Sequence, residues 1–361
     1  MKKSYLLGLV ALTVATTSCS NEEPAAVNNA DNAIEFGTYV GRDALTRGSV
    51  FTTSEMQTQG FGVFAAYTAQ DNYDAQTMNF MYNQQVTYSA SAWTYSPLKY
   101  WPNNPGDKVS FFAYAPHNVE GAALDASLAK ITYTVADAVA DQKDLTVADA
   151  LKDQTKQSIT GTVTFNFKHV LSRIGVNVEA QVDLVNSDAT GETDNTTANG
   201  ALAPETNIKV TKVELIGKFD KQGVIDLTNS TWSDVAPAAS DVIYTWDDAN
   251  FVSSVATNVT TTKQQLNDNA HYAMIIPQDM TTNKVKLRVT YVVTTTDAAL
   301  AGGKSEINNT ITSDEFAFNF QQGKAYMFNL HLGMTSVKFD ASVSDWDTAT
   351  ETVVNVPINN N

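Results

Sequence analysis

The chain has 361 residues and a formal net charge of −16. That length points to two domains rather than one, and without a dense Lys/Arg run the acidic balance argues against nucleic acid as a partner. The single cysteine, Cys19, rules out an intramolecular disulfide, so the core and the sheet ladders must supply the stability.

Thr, Asn, Val and aromatic residues are abundant, and Gly and Pro are scattered, which suits an all-β protein with many short strands. His117, His169, His271 and His331 lie far apart, and none has a second His or Cys at a metal-ligand spacing, so no metal or other cofactor is expected.

Lys2 and Lys3 precede an apolar run over 5–15. A helix needs roughly 20 apolar residues to span a bilayer, so this shorter run reads as a secretory signal over 1–18. Thr16-Thr17-Ser18-Cys19 resembles a bacterial lipobox, with a small Ser18 before the cysteine and Thr16 where that pattern usually has Leu. Cys19 is therefore the expected lipidation site; the alternative is an ordinary signal with an incidental cysteine. Ser20-Asn21-Glu22-Glu23 is similar to acidic signals that send lipoproteins to the cell surface in some Gram-negative bacteria. Residues 24–32 form a polar, unpatterned tether.

Next comes an extended segment with Ile34, Phe36 and Val40 on one side. It runs into Gly41-Arg42-Asp43-Ala44-Leu45-Thr46-Arg47-Gly48, a polar stretch in which a basic residue precedes glycine. This is an accessible site for a trypsin-like protease, at Arg47-Gly48 with Arg42 as second choice. The expectation is a propeptide over 19–47 whose strand packs first and is removed later.

Residues 48–157 form the first expected domain, read as short strands and turns. A glycine-containing strand covers 60–67, a hairpin is expected around Asn83, and a strand dense in aromatics covers 109–115 and stops at Pro116. Trp93, Tyr95, Tyr100 and Trp101 sit close together before a Pro/Asn/Gly turn. They could form a sugar-stacking platform or a core and loop clasp. Turn residues break the cluster and no convergent polar set is visible, which favours the core.

The second expected domain covers 158–361. Val163, Phe165, Phe167 and His169 share one face of a strand, with Thr164, Asn166 and Lys168 on the other; His169 closes the apolar face and reads as a hydrogen-bonded core histidine. The 208–216 run changes face near Lys212, as a bulge would. Period-two runs over 285–293, 316–320, 326–332 and 337–343, separated by turns, indicate antiparallel sheets packed as a sandwich. A terminal segment, 352–358, puts Val354, Val356 and Ile358 on one face and has no obvious hairpin partner, so it can add to an edge on another molecule.

No catalytic constellation is found. Ala301-Gly302-Gly303-Lys304-Ser305 resembles the end of a phosphate loop, but Ala298 stands where the first glycine belongs. Gly-x-Ser-x-Gly and His-Glu-x-x-His are both missing, and the chain is not expected to be an enzyme.

Several runs, in order, resemble the fimbrillin (type V pilin) family of Gram-negative anaerobes. They are Tyr100-Trp101-Pro102, Asp107-Lys108-Val109-Ser110-Phe111-Phe112-Ala113-Tyr114-Ala115-Pro116, Asp144-Leu145, Phe165-Asn166-Phe167-Lys168-His169-Val170-Leu171-Ser172-Arg173, Ile276-Pro277-Gln278, Gly323-Lys324-Ala325-Tyr326 and Val343-Ser344-Asp345-Trp346.

The resemblance implies two tandem transthyretin-like antiparallel β-sandwich domains behind the lipoprotein signal. It further implies a precursor lipid-anchored in the outer membrane, an arginine-specific protease as partner, and a cut after Arg47. The mature subunit would begin at Gly48. Its groove would be filled by the 352–358 strand of a neighbour, so partners would be other copies and other fimbrial subunits, with a host protein or glycan as a further one. The alternatives are a surface glycan-binding lipoprotein and a tip or accessory adhesin of the same family.

Overall fold

The structure, a computed structural model, describes residues 32–40, 52–75, 77–159, 161–181, 202, 205–334 and 336–346. It is all-β, as the composition and period-two runs require, and the described strands form five sheets. The largest has eight strands, in the order Phe36–Val40, Val163–His169, Thr146–Ala148, Lys108–Ala115, Phe61–Ala69, Met81–Ser89 and Ala92–Thr94, with Leu151–Gln154 beside Lys108–Ala115. A five-stranded sheet runs Gln264–Gln265, Ser172–Ala180, Lys324–Leu332 and Val337–Asp345, with Ala273–Ile275 also on Ser172–Ala180. One four-stranded sheet is built from Val242–Asp247, Thr206–Gly217, Lys286–Thr296 and Lys304–Thr312.

The division expected at residue 158 does not coincide with a change of sheet. Val163–His169 still belongs to the eight-stranded sheet, and the chain enters the five-stranded sheet only at Ser172. Lys130–Thr134 from the first half also pairs with Gln222–Asp226 from the second.

Two pairings depart from the antiparallel expectation: Phe36–Val40 on Val163–His169, and Ser172–Ala180 on Lys324–Leu332, are parallel. Their partners lie far apart in sequence, so no hairpin turn dictates direction.

Strand Phe61–Ala69 is buried on both faces of the eight-stranded sheet. Phe61, Val63 and Ala65 face one apolar cluster, and Phe64 and Ala66 face the other, larger one that includes the five-stranded sheet. The hairpin expected around Asn83 is instead one continuous strand, Met81–Ser89. Asn83 takes φ +46° opposite a register shift between Val63 and Ala65, and its Oδ1 accepts the Tyr114 hydroxyl at 2.8 Å. A bulge, not a turn, absorbs the irregularity. The bulge expected near Lys212 is present, as a register shift between Val210 and Lys212.

A helix, Thr53–Gln59, stands where only strands and turns were expected. The Thr52 hydroxyl accepts the Glu55 N–H at 3.2 Å, and Glu55 Oε2 accepts the Thr52 N–H at 2.8 Å, a reciprocal capping box. The helix stops at Gly60, whose φ of +71° suits glycine, and its buried Met56 joins the same cluster as Phe61.

Candidate functional site

The site lies at the Phe36–Val40 end of the eight-stranded sheet. Residues 32–40 thread between two parts of the body. On one side the Ile34 N–H donates to the Lys99 carbonyl and the Trp101 N–H to the Asn32 carbonyl, both at 2.9 Å, around a bridge between Ala33 and Tyr100. On the other, the Val163 N–H donates to the Glu35 carbonyl at 2.8 Å, and the parallel ladder runs from Phe36 beside Val163 to Val40 beside Phe167. The Asn32 side-chain amide donates to the Trp101 carbonyl at 3.0 Å. The Tyr95 hydroxyl donates to the Ile34 carbonyl at 2.8 Å, and burial raises this phenol's pKa, so it remains a donor at neutral pH.

Ile34 is fully buried and Phe36 almost fully so. The Phe36 ring lies 5.1 Å from Tyr95, 5.7 Å from Phe165, 6.0 Å from Phe111 and 6.4 Å from Phe61, nearly parallel to Phe165 and edge-on to Phe111 and Phe61. Met56, from beyond the Arg42–Arg47 stretch, belongs to the same cluster, so residues on both sides of the expected cut close one core.

This N-terminal segment, residues 32–40 or the leader for short, also completes its neighbour. On its other flank, Val163–His169 pairs with Thr146–Ala148 only at Phe167, Lys168 and His169. Among the described residues, Val163, Thr164 and Phe165 have a ladder partner only in the leader. Taking the leader away would bare that backbone edge together with the apolar slot that Ile34 and Phe36 fill.

Of the expected aromatic cluster, Trp101 is buried and packs 5.7 Å from Phe111, Trp93 packs 5.0 Å from Phe61, and Tyr95 packs on Phe36. Of the four, Tyr100 is the exposed one, at 40%. The cluster forms a wall of the cleft, in keeping with the core reading.

His169 is a buried, hydrogen-bonded histidine: its Nδ1 lies 2.7 Å from Asp144 Oδ2, and its ring stacks on Trp346 at 4.3 Å and 3°. The Arg173 guanidinium sits 5.2 Å from the same indole. Trp346 is the last described residue, and it follows Val337–Asp345, an end strand of the five-stranded sheet. The strand that pairs with the leader thus also holds the root of the C-terminal tail.

Cys19, Arg42, Arg47, Gly48, Val354, Val356 and Ile358 lie outside the described residues. Ile34 and Phe36 are brought together in the core, and the Val40 backbone pairs with Phe167. Sequence reasoning missed Tyr95 as a donor to the leader and Met56 as part of its slot. The Thr52/Glu55 capping signature could have revealed the helix that carries Met56.

Fold and site together define an all-β protein whose largest sheet ends in Phe36–Val40, a strand from early in the chain laid parallel against Val163–His169. Residues 46–346 match the model of a family described as fimbrillin-like, and the chain belongs to that family. A fimbrium subunit, Fim1C, from Phocaeicola vulgatus (strain ATCC 8482) is 28% identical over 401 residues, covering 98% of this chain and 99% of the relative. A solved fimbrial protein from Bacteroides vulgatus ATCC 8482 has the same fold, with a TM-score of 0.66 and 24% identity over 87% of this chain and 99% of that one.

Proposed function

We propose that this protein is a structural subunit of a cell-surface fimbria that polymerises by strand exchange after arginine-specific proteolysis, supporting adhesion. The observation that carries the proposal is the leader: a strand that completes a sheet edge, fills an apolar slot with Ile34 and Phe36, and is followed by Arg42 and Arg47. Family membership and the fimbrial relative support the coarser part, a subunit that assembles with other subunits. On this reading the partners are further copies of the chain and other fimbrial subunits.

The arginine content favours an arginine-specific enzyme. The chain has four arginines. Arg173 is buried in Ser172–Ala180, which pairs on both sides, and Arg288 sits in Lys286–Thr296, likewise paired on both sides, with its fork on Glu214 at 2.6 and 2.9 Å. The other two are Arg42 and Arg47. Such a protease would therefore cut the leader and leave the body whole, whereas a lysine-cutting one would meet exposed Lys143, Lys156 and Lys263.

Cleavage after Arg47 would make Gly48 the new start of the subunit. The vacated edge is then Val163–His169, and the donor is the 352–358 segment of a neighbour, with Val354, Val356 and Ile358 replacing Ile34 and Phe36 in the slot. Burying such side chains contributes ~1.5–3 kcal/mol each, before ordering is subtracted. Before cleavage, Cys19 would tether the precursor to the outer membrane by lipid. The two-sandwich arrangement belongs to the same proposal, with the changeover after His169.

Treating the precursor with an arginine-specific endoprotease should yield a body starting at Gly48 (or Asp43) and SDS-resistant ladders. The Arg42→Ala, Arg47→Ala chain should stay uncut and monomeric; if it polymerised as readily as wild type, cleavage would not be the trigger.

A further inference from the structure

Among the described residues, the contacts that hold the leader are made by residues 32–40, and a cut after Arg42 or Arg47 falls C-terminal to them. From this geometry, and resting on the proteolytic reading above, we infer that cutting does not empty the cleft: the severed leader stays seated as a non-covalently bound strand. Proteolysis then arms the subunit, and a second event, displacement by an incoming strand, opens it.

The structural grounds are independent of the tail. The segment is bonded along two edges at once, to Lys99 and Trp101 on one side and to Val163–His169 on the other. Its two anchors, Ile34 and Phe36, are buried in a cluster supplied by several elements of the body. The Tyr95 hydroxyl and the Asn32 amide fasten its backbone from the flank.

A strand held by main-chain bonds plus apolar anchors is a recognised mode of peptide capture, and here the cleft is already shaped around its occupant. Leaving would uncover the Phe-lined slot to water and strip Val163, Thr164 and Phe165 of their ladder partner among the described residues. The leader between Lys3 and Arg42 contains no Lys or Arg, so the protease cannot chop the seated strand into weaker pieces.

The inference also orders the assembly steps. A cut subunit that keeps its leader presents no open edge while it waits for a partner, which protects it from indiscriminate pairing. Invasion can begin at the newly cut end beyond Val40 and proceed toward Phe36 and then Ile34.

The test uses the full chain with Val354→Lys and Val356→Lys, whose tail cannot enter an apolar slot, so self-displacement is removed. After cutting with the arginine-specific endoprotease and quenching, the sample is run at about 1 µM on native size exclusion, and each fraction is read by mass spectrometry. The expected result is that most of the leader fragment co-elutes with the body, which requires a dissociation constant below about 1 µM. Leader fragment found mainly in the small-peptide fractions immediately after cutting overturns the inference.

Adding synthetic peptide 352–361 in excess should then drive the leader into the small-peptide fractions, in step with peptide bound to the body. If the leader co-elutes and this peptide never displaces it, the seated leader stands while the donor assignment under the proposed function fails. If the leader leaves on cutting and wild-type chains still polymerise, the reverse holds.

Discussion

Phe36→Ala in the uncut precursor probes the leader directly. The ring is almost fully buried and touches four aromatic rings, so nothing small can refill its place without rearrangement. Truncating a buried Phe to Ala costs about 3–5 kcal/mol, and this falls on detachment of the leader as well as on global unfolding. At about 1.4 kcal/mol per factor of ten, the detached state should become at least about 100-fold more populated. The Val163 amide reports that state, because its hydrogen bond is to the Glu35 carbonyl. Its hydrogen exchange in the variant should speed by a similar factor. The Ala180 amide, bonded to the Thr260 carbonyl at the end of its strand in the other half, serves as control; under conditions where it exchanges by local opening rather than by global unfolding it should hold its rate. Unchanged exchange at Val163 would refute the argument that Phe36 anchors the strand.

Gly62→Ala should destabilise the body by about 1–3 kcal/mol in chemical denaturation, because a Cβ there would fall 2.4 Å from the Tyr114 ring and 2.7 Å from Asn83 Oδ1, and the hydroxyl bond between those two resists displacement; a neutral effect would mean the bulge yields freely. His331 bridges Glu179 Oε1 at 2.6 Å and Asp340 Oδ2 at 2.7 Å, and the bond to Asp340, then its charge and the Glu179 bond, raise the imidazole pKa despite burial. Burial opposes ionisation of Asp340, but the His331 and Asn329 bonds outweigh it and hold this carboxyl below its usual range; Lys263 adds to that, and Lys338 faces His331 across the ladder. A raised histidine stabilises most fully below its unfolded pKa of about 6.5 and loses that contribution as pH rises through the folded value. Denaturation midpoints of wild type and His331→Gln should therefore lie furthest apart near pH 6 and converge in alkali; a gap that widens with pH would reverse the sign of this account.

Strands such as Val163–His169 and Lys286–Thr296 were legible because one face of each is buried and the side-chain period shows it. Val163, Phe165, Phe167 and His169 alternate with Thr164, Asn166 and Lys168, and the structure buries the first set. What the sequence could not show was pairing over long distance. Nothing in residues 33–40 names Val163–His169 as a partner, or parallel as the direction, because no turn links them. The Met81–Ser89 strand was misread for a local reason: an Asn in a left-handed conformation signals a turn and a bulge alike. The helix at Thr53–Gln59 was overlooked although Thr52 and Glu55 spell its cap, since it is too short to develop an apolar period. Of the candidate site, the two anchors Ile34 and Phe36 were readable from alternation alone; the slot around them is assembled from Tyr95, Lys99, Trp101, Phe111 and Phe165, which only the fold collects.

The central claim is that leader and tail compete for one edge. Electron cryo-microscopy of polymers grown from cut wild-type chains addresses it by showing what lies against Val163–His169. The account predicts a strand there with the side-chain sequence of 352–358 from the next subunit, its Val and Ile side chains in the slot now filled by Ile34 and Phe36. Polymers in which the leader still occupies that edge, with subunits joined elsewhere, would contradict it.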